Sequence, residues 1–181
     1  MLKKAIPTLA TVMFLSIPAL ANDPTPTVAD TKFEVGVGVN GDIEGSKDDP
    51  LHSNGGLLLQ ASYRFLPNWS VTGIYTYSSD VGTAYSDLKA EINRYIVNLN
   101  YDFAPEETYS VYVFAGGGYE DTTRTEYGGY DRDGFLFGGG LGMRIYLSTH
   151  FGLNFSGMYK YNEEADDSAV LLNAAVTYRF N

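Results

Sequence analysis

The sequence contains no cysteine. That absence removes a disulfide framework and any thiolate-held metal centre from consideration. Histidine is nearly as scarce, with only His52 and His150 in 181 residues. Tryptophan occurs once, at Trp69. Positive charge is also thin: 12 Lys and Arg stand against 22 Asp and Glu, a formal net charge of −10. A chain so acidic lacks the electrostatic footprint for nucleic acid, and no nucleic-acid partner is expected. Long apolar runs are missing after residue 21, so no helix of the roughly 18 residues needed to span a bilayer is expected. No convincing helical period occurs anywhere.

What is present begins at the N-terminus. Lys3 and Lys4 precede an uncharged apolar run, Ala5 to Leu20, interrupted by Pro7 and Pro18. Ala19-Leu20-Ala21 is a small-x-small cleavage site. Residues 1–21 are therefore read as a secretory signal removed after Ala21. As a membrane anchor the run is short and twice broken by proline. Cleavage removes two lysines and no acid, taking the charge from −10 to −12 over 160 residues. One domain is expected at this length. Residues 22–31, with Pro24 and Pro26, read as a short periplasmic lead-in.

From there to the end, period-2 alternation predicts strands. In the last one, Leu172, Ala174, Val176, Tyr178 and Phe180 alternate with residues that include Asn173, Thr177 and Arg179. Eight such runs are expected, at about residues 32–40, 56–65, 69–77, 92–103, 109–119, 135–147, 151–161 and 170–180. Their connections alternate between short (66–68, 105–108, 148–150) and long (41–55, 78–91, 120–134), with 162–169 intermediate. Aromatic residues are abundant, 15 Tyr and 10 Phe, and fall at both ends of the runs with Val, Leu, Ala and Ile between. Two aromatic girdles around an apolar band suit strands tilted across a bilayer. The expected fold is all-β: a transmembrane, eight-stranded, antiparallel, up-and-down β-barrel over residues 32–181. Short turns would face the periplasm, with both termini, and the long acidic loops would be extracellular. The alternative is a soluble eight-stranded barrel with its apolar face inward.

The terminal strand resembles the assembly signal of bacterial outer-membrane barrels, with Asn173, Ala175, Tyr178 and Phe180 in its places; Ala175 stands where Gly is usual, and Asn181 follows the Phe. The alternation over residues 32–181 is similar to that of the OmpA-type eight-stranded barrels, including the OmpX/Ail group. The resemblance implies a Gram-negative outer-membrane location, contact with outer-membrane lipid and lipopolysaccharide, insertion by the barrel-assembly machinery through the C-terminal strand, and a monomer. It implies a structural or surface-interaction role. An adhesin binding a host or cell-surface ligand, and a narrow ion or small-solute channel, stand as alternatives.

The inward parity positions predict a polar lumen containing Glu34, Gln60, Arg64, Arg94, Asn98, Asn100, Asp102, Tyr112, Glu120, Arg144, Tyr146, Asn154, Lys160, Asn173 and Arg179. Eight strands leave room only for side chains to fill, and enclosed charges must pair. This reads as a plug, with an ion path as the alternative. Gly116-Gly117-Gly118 and Gly138-Gly139-Gly140, with Gly142, lack the Lys and helix of a phosphate loop and are read as strand glycines allowing close strand approach and making room for large lumen side chains. Sixteen of the 22 acids fall in the expected loops, among them Asp42, Asp48, Asp87, Glu91, Glu120, Asp121, Asp131, Asp166 and Asp167. Carboxylate clusters can hold Ca²⁺ or Mg²⁺, but a solvated, repelling rim is the simpler reading. His52-Ser53-Asn54 superficially resembles the His-x-Ser-Asn motif of outer-membrane lipid A deacylases, with the intervening residue missing. No enzymatic activity is expected, and no catalytic, cofactor or metal residue is assigned.

Overall fold

The computed structural model describes residues 32–44, 52–79, 90–105, 108–124, 133–163 and 167–180. Alternating sequence becomes eight strands: β1 (Phe33–Glu44), β2 (His52–Leu66), β3 (Trp69–Ser79), β4 (Ala90–Asp102), β5 (Tyr109–Arg124), β6 (Gly134–Tyr146), β7 (Phe151–Asn162) and β8 (Asp167–Phe180). Each pairs antiparallel with its neighbours in sequence, and β8 pairs back to β1 to close the barrel. Closure leaves no unpaired strand edge, the condition for placing a sheet in lipid.

Every expected strand is present. Most run further than expected at the end with the longer connections, hereafter the loop end; the opposite end is the turn end. Strand β1 continues four residues past Asn40 and β5 five past Tyr119. The residues added are mostly polar: Glu120, Asp121, Thr122, Thr123 and Arg124 on β5, and Gly41, Asp42 and Glu44 around a single apolar Ile43 on β1. Alternation of hydrophobicity fades there because the outward face is leaving the apolar belt, while the backbone ladder continues. Residues 45–51 and 163–166 are all that remain between strands where longer loops were expected.

The register fixes the stagger. Following paired residues round the barrel from Phe33, through Tyr63, Val71, Leu99, Ala115, Gly139, Tyr159 and Val170, returns to Ile43 on the same strand. A shift of ten residues over eight strands requires strands tilted by about 40°.

Large apolar side chains face outward: Leu57, Val97 and Leu141 are 66%, 58% and 62% exposed. Trp69, Tyr109, Phe151, Tyr178 and Phe180 ring the turn end, while Tyr95, Phe135, Tyr159 and Tyr161 ring the loop end. Neighbouring rings touch, as in the Phe33–Phe180 pair at 5.5 Å and the Trp69–Tyr101 pair at 5.1 Å. Among the described residues, the only charged side chains on the strands' outward face are Glu91 and Asp121, both at the loop end. A continuous apolar belt of this kind is incompatible with a soluble barrel. It is the outer wall of a membrane protein, with the polar face turned inward.

A charge placed in that belt should be costly. Leu59→Arg, in the middle of β2, is expected to lower the stability of the barrel in lipid vesicles by about 2–4 kcal/mol, read as a shifted urea midpoint. Glu91→Arg, beyond the belt, should change it little.

Candidate functional site: the charged lumen

All fifteen residues placed in the lumen by parity are there; fourteen are buried and Asn173 is partly so. The interior is layered, however, and not uniformly polar. The inward residues of β4, from turn end to loop end, are Asp102, Asn100, Asn98, Ile96, Arg94 and Ile92. Asp102 and Arg94 belong to separate ionic networks. They stand eight positions apart, roughly 27 Å along the strand.

The network at the turn end is built on Asp102. Arg144 Nη1 donates to both of its carboxylate oxygens, at 2.6 and 2.7 Å. Arg64 Nη1 lies 2.9 Å from Oδ2 and also donates to the Pro67 carbonyl at 2.7 Å. The Arg144 guanidinium stacks 4.1 Å over the Tyr112 ring, and Arg179 stacks 3.8 Å over Tyr146. Tyr146 in turn donates to Glu34 Oε2 at 3.1 Å. Arg179 donates to the Ser148 carbonyl, tying strand β8 to the β6–β7 turn. Arginine suits these places because its planar group can pair, stack and donate at once.

The network at the loop end joins four strands. Arg94 of β4 pairs with Asp42 of β1 and, through Nε, with Glu120 of β5. Lys160 of β7 donates to Glu120 Oε2 at 2.7 Å, and Asn162 Nδ2 reaches Oε1 at 3.4 Å. Asp42, read from the sequence as a loop acid, is thus fully buried in the lumen. Glu120, which the parity pattern and the loop pattern both claimed, is also enclosed. Two of the sixteen rim acids are therefore neutralised inside the barrel. Glu91 and Asp121 lie in strands on the outer face. Residues 45–50, 80–89, 125–132 and 164–166, with Asp48, Asp87, Asp131 and Asp166, fall outside the described residues.

Between and beside the two networks lies an apolar layer that parity alone did not announce. Leu58, Ile74, Ile96, Phe114, Leu136, Met158 and Leu171 are buried against one another. A signal for it exists in the sequence. Leu57-Leu58-Leu59, Tyr95-Ile96-Val97, Val113-Phe114-Ala115 and Phe135-Leu136-Phe137 are places where apolar residues occupy both parities. The inward glycines complement the bulky residues. A Cβ at Gly142 would collide with the Tyr112 ring, and one at Gly140 with the Gly157 carbonyl first and then with Phe114. The glycine clusters thus serve close strand approach at Gly116, Gly118, Gly138 and Gly140, where a neighbouring carbonyl stands in the way of a Cβ, and a side-chain recess at Gly142.

Amide and hydroxyl groups fill the remaining space. Tyr112 donates to Asn154 Oδ1 at 2.7 Å, and Asn154 Nδ2 to Gln60 Oε1 at 3.2 Å. Asn100 Nδ2 reaches Thr72 Oγ1 at 2.9 Å and Ser70 Oγ at 3.2 Å. Among the described residues, no group of three or more His, Cys, Asp or Glu side chains could hold a metal ion. His150 sits in the β6–β7 turn, stacked on Tyr178 and 3.1 Å from Thr149 Oγ1. His52 and Ser53 are consecutive positions in β2, and their side chains lie outside the described residues.

A closed sheet with an apolar belt, two aromatic rings and a side-chain-filled interior defines a transmembrane β-barrel. The chain belongs to the outer membrane protein beta-barrel domain family, whose family model matches residues 8–180. No curated protein matches the sequence. Solved structures share the fold at low identity. Neisserial surface protein A is 16% identical, with a TM-score of 0.67 over 82% of this chain and 97% of that one. Ail, the attachment invasion locus protein of Yersinia pestis, is 19% identical, with a TM-score of 0.59 over 83% and 99%. OprG of Pseudomonas aeruginosa is 13% identical, with a TM-score of 0.64 over 88% and 100%.

Because Asp102 serves two arginines by different contacts, truncating one or the other should cost unequally. Arg144→Ala leaves a buried carboxylate with one weaker partner and is expected to cost about 3–5 kcal/mol. Arg64→Ala, which spares the two-oxygen contact, should cost less. Urea titration of the folded band on gels compares the two.

Proposed function

We propose that this protein is a closed barrel of the bacterial outer membrane with a structural or surface-presenting role, and that its lumen does not conduct steadily. The observation that carries the reading is the layered interior. An ion crossing it would have to displace paired charges at one end, pass a layer of packed hydrocarbon, and displace paired charges again. Opening either network leaves a dry charge unpaired, at a cost of several kcal/mol. The hydrocarbon layer adds a barrier that polar residues alone would not supply. No enzymatic role is proposed.

In this reading, residues 1–21 are cleaved, 22–31 lie in the periplasm, and the turn end faces the periplasm with both termini. The loop end faces outward, the barrel is a monomer in contact with phospholipid and lipopolysaccharide, and β8 is the strand the assembly machinery receives. Support comes from the short turn-end connections, Pro67-Asn68 between β2 and β3 above all, and from Tyr178 and Phe180 at the rim. Cysteines introduced at Asp48, Asp87, Asp131 and Asp166 should react with an impermeant thiol reagent on whole cells, and one at Glu106 should not. Labelling confined to Glu106 would invert the orientation.

A second reading is surface binding. Ail has been solved in complex with the heparin analogue sucrose octasulfate, a polyanion. The segments between strands here are rich in Asp and Glu, so a ligand of this chain would be cationic or bridged by cations, with the loops as the contact.

Planar-bilayer recordings of the purified barrel decide between plug and channel. The unmodified protein is expected to show no steady conductance. Phe114→Ala, which opens the apolar layer, should produce brief openings more readily than Ser156→Ala, which leaves that layer intact. Large, lasting currents from the unmodified protein would establish the channel in place of the plug.

A further inference from the structure

The outer wall is not convex all the way round. A groove of about 680 Å³ crosses the half formed by β5 to β8 and β1. It follows two neighbouring rungs of the sheet. One runs from Val111 through Met143, Phe155 and Ala174 to Val39. The next runs from Leu141 through Gly157 and Leu172 to Gly41. Gly157, Gly41 and Ala174 carry little or no side chain, so the wall is thin where they meet. On β7, β8 and β1 the loop-end flank is bulkier, with Tyr159, Val170 and Ile43, while on β5 and β6 it carries only Ala115 and Gly139; the turn-end flank carries Ile145, Leu153 and Val176. The result is a trough that runs from strand to strand, oblique to the barrel axis, with no charged side chain in its lining.

We propose that this trough holds one acyl chain of a phospholipid as a resident lipid, entering from the turn end. The trough lies in the belt between the two aromatic girdles, so its surroundings are hydrocarbon. A second copy of the barrel fits poorly. A two-fold dimer sets the same patch against itself, and two concave faces would enclose a void whose lining loses its dispersion partners. A flexible chain conforms to the trough and fills it. The span from Val111 to Val39 covers four strand spacings, about 19 Å, enough for most of a lipid chain. Val111 is two residues from Tyr109 in the turn-end girdle, where a headgroup would sit, and the far end stops beneath Ile43. With the turn end in the periplasm, the donor is the phospholipid leaflet. That choice of leaflet rests on the orientation proposed above; capture of a chain does not.

Gly157 allows a direct test. A Cβ there would meet only Leu172 Cδ2, at 3.4 Å, so Gly157→Leu projects into the trough without touching backbone. Gly73, on β3 in the opposite wall, also faces outward, with the Ala61 carbonyl 4.0 Å from its Cβ position. Gly73→Leu is the matched control. The full chain, reconstituted in nanodiscs of phosphatidylethanolamine and phosphatidylglycerol with lipopolysaccharide, is released for native mass spectrometry. Heat-modifiable gel migration establishes that each variant is folded, and Ala174→Leu fills the same trough should Gly157→Leu not fold. The unmodified barrel should retain one phospholipid. Gly157→Leu should reduce that fraction about tenfold, the equivalent of losing burial of nearly two methylenes, and Gly73→Leu should leave it unchanged. Equal retention in all three, or none in the unmodified barrel, overturns the proposal. Retained lipopolysaccharide overturns the leaflet, and a dimer abolished by Gly157→Leu overturns the acyl chain in favour of a second copy.

Discussion

A sheet in lipid has no water to satisfy its backbone, so it must close on itself, and closure with eight strands sets everything inside. The ten-residue stagger makes a tube about as wide as the side chains that fill it. Whatever points inward is cut off from bulk solvent. Charges there are tolerated only as networks, which is why Asp102 is shared by Arg64 and Arg144, and Glu120 by Arg94 and Lys160. The stacking of Arg144 and Arg179 on tyrosines follows from the same shortage of room. Each guanidinium has to meet a partner on its face as well as at its edge.

The two networks differ in character. The one at the turn end contains three arginines against Glu34 and Asp102, with ring faces and the Ser148 and Pro67 carbonyls taking up the surplus of donors. The one at the loop end balances Arg94 and Lys160 against Asp42 and Glu120. The first is anchored to turn backbone and so helps to fix the positions of the β2–β3 and β6–β7 connections. The second joins only strands and acts as a brace across the tube. Between them the hydrocarbon layer needs no partners, which keeps the tube filled without further buried charge.

Much of this was legible in the sequence because a strand's period of two is rigid. Once Phe33, Tyr63, Tyr101 or Tyr178 was placed outward, Glu34, Arg64, Asp102 and Arg179 had to point inward. The loop-end reach of the strands was harder to see. Past Tyr119 both faces are polar, and past Asn40 Ile43 is the single apolar residue, so hydrophobic alternation stops while hydrogen bonding continues, and Asp42 looked like a loop acid when it is a lumen ligand of Arg94. The apolar layer was hidden for the opposite reason. Leu58, Ile96, Phe114 and Leu136 stand between outward apolar neighbours, and a run with both parities filled reads as one strong strand face. The recess at Gly142 depends on which residue faces it across β5, and that pairing comes from register, which a single strand does not encode.

Strand pairing that outlasts the apolar belt has a consequence for the segments beyond it. The β1–β2 ladder runs to Glu44 opposite His52, and the β4–β5 ladder to Ala90 opposite Arg124. Each connection therefore leaves from two backbones already held together by hydrogen bonds, on a pedestal braced from within by Arg94 and Lys160. Sequence can be exchanged above such a pedestal at little cost to the wall beneath, since closing a longer loop adds only about 0.6 kcal/mol for each doubling of its length. The tube is in this respect a frame, whose loop end can diversify or accept a foreign insert while the wall that carries it stays the same.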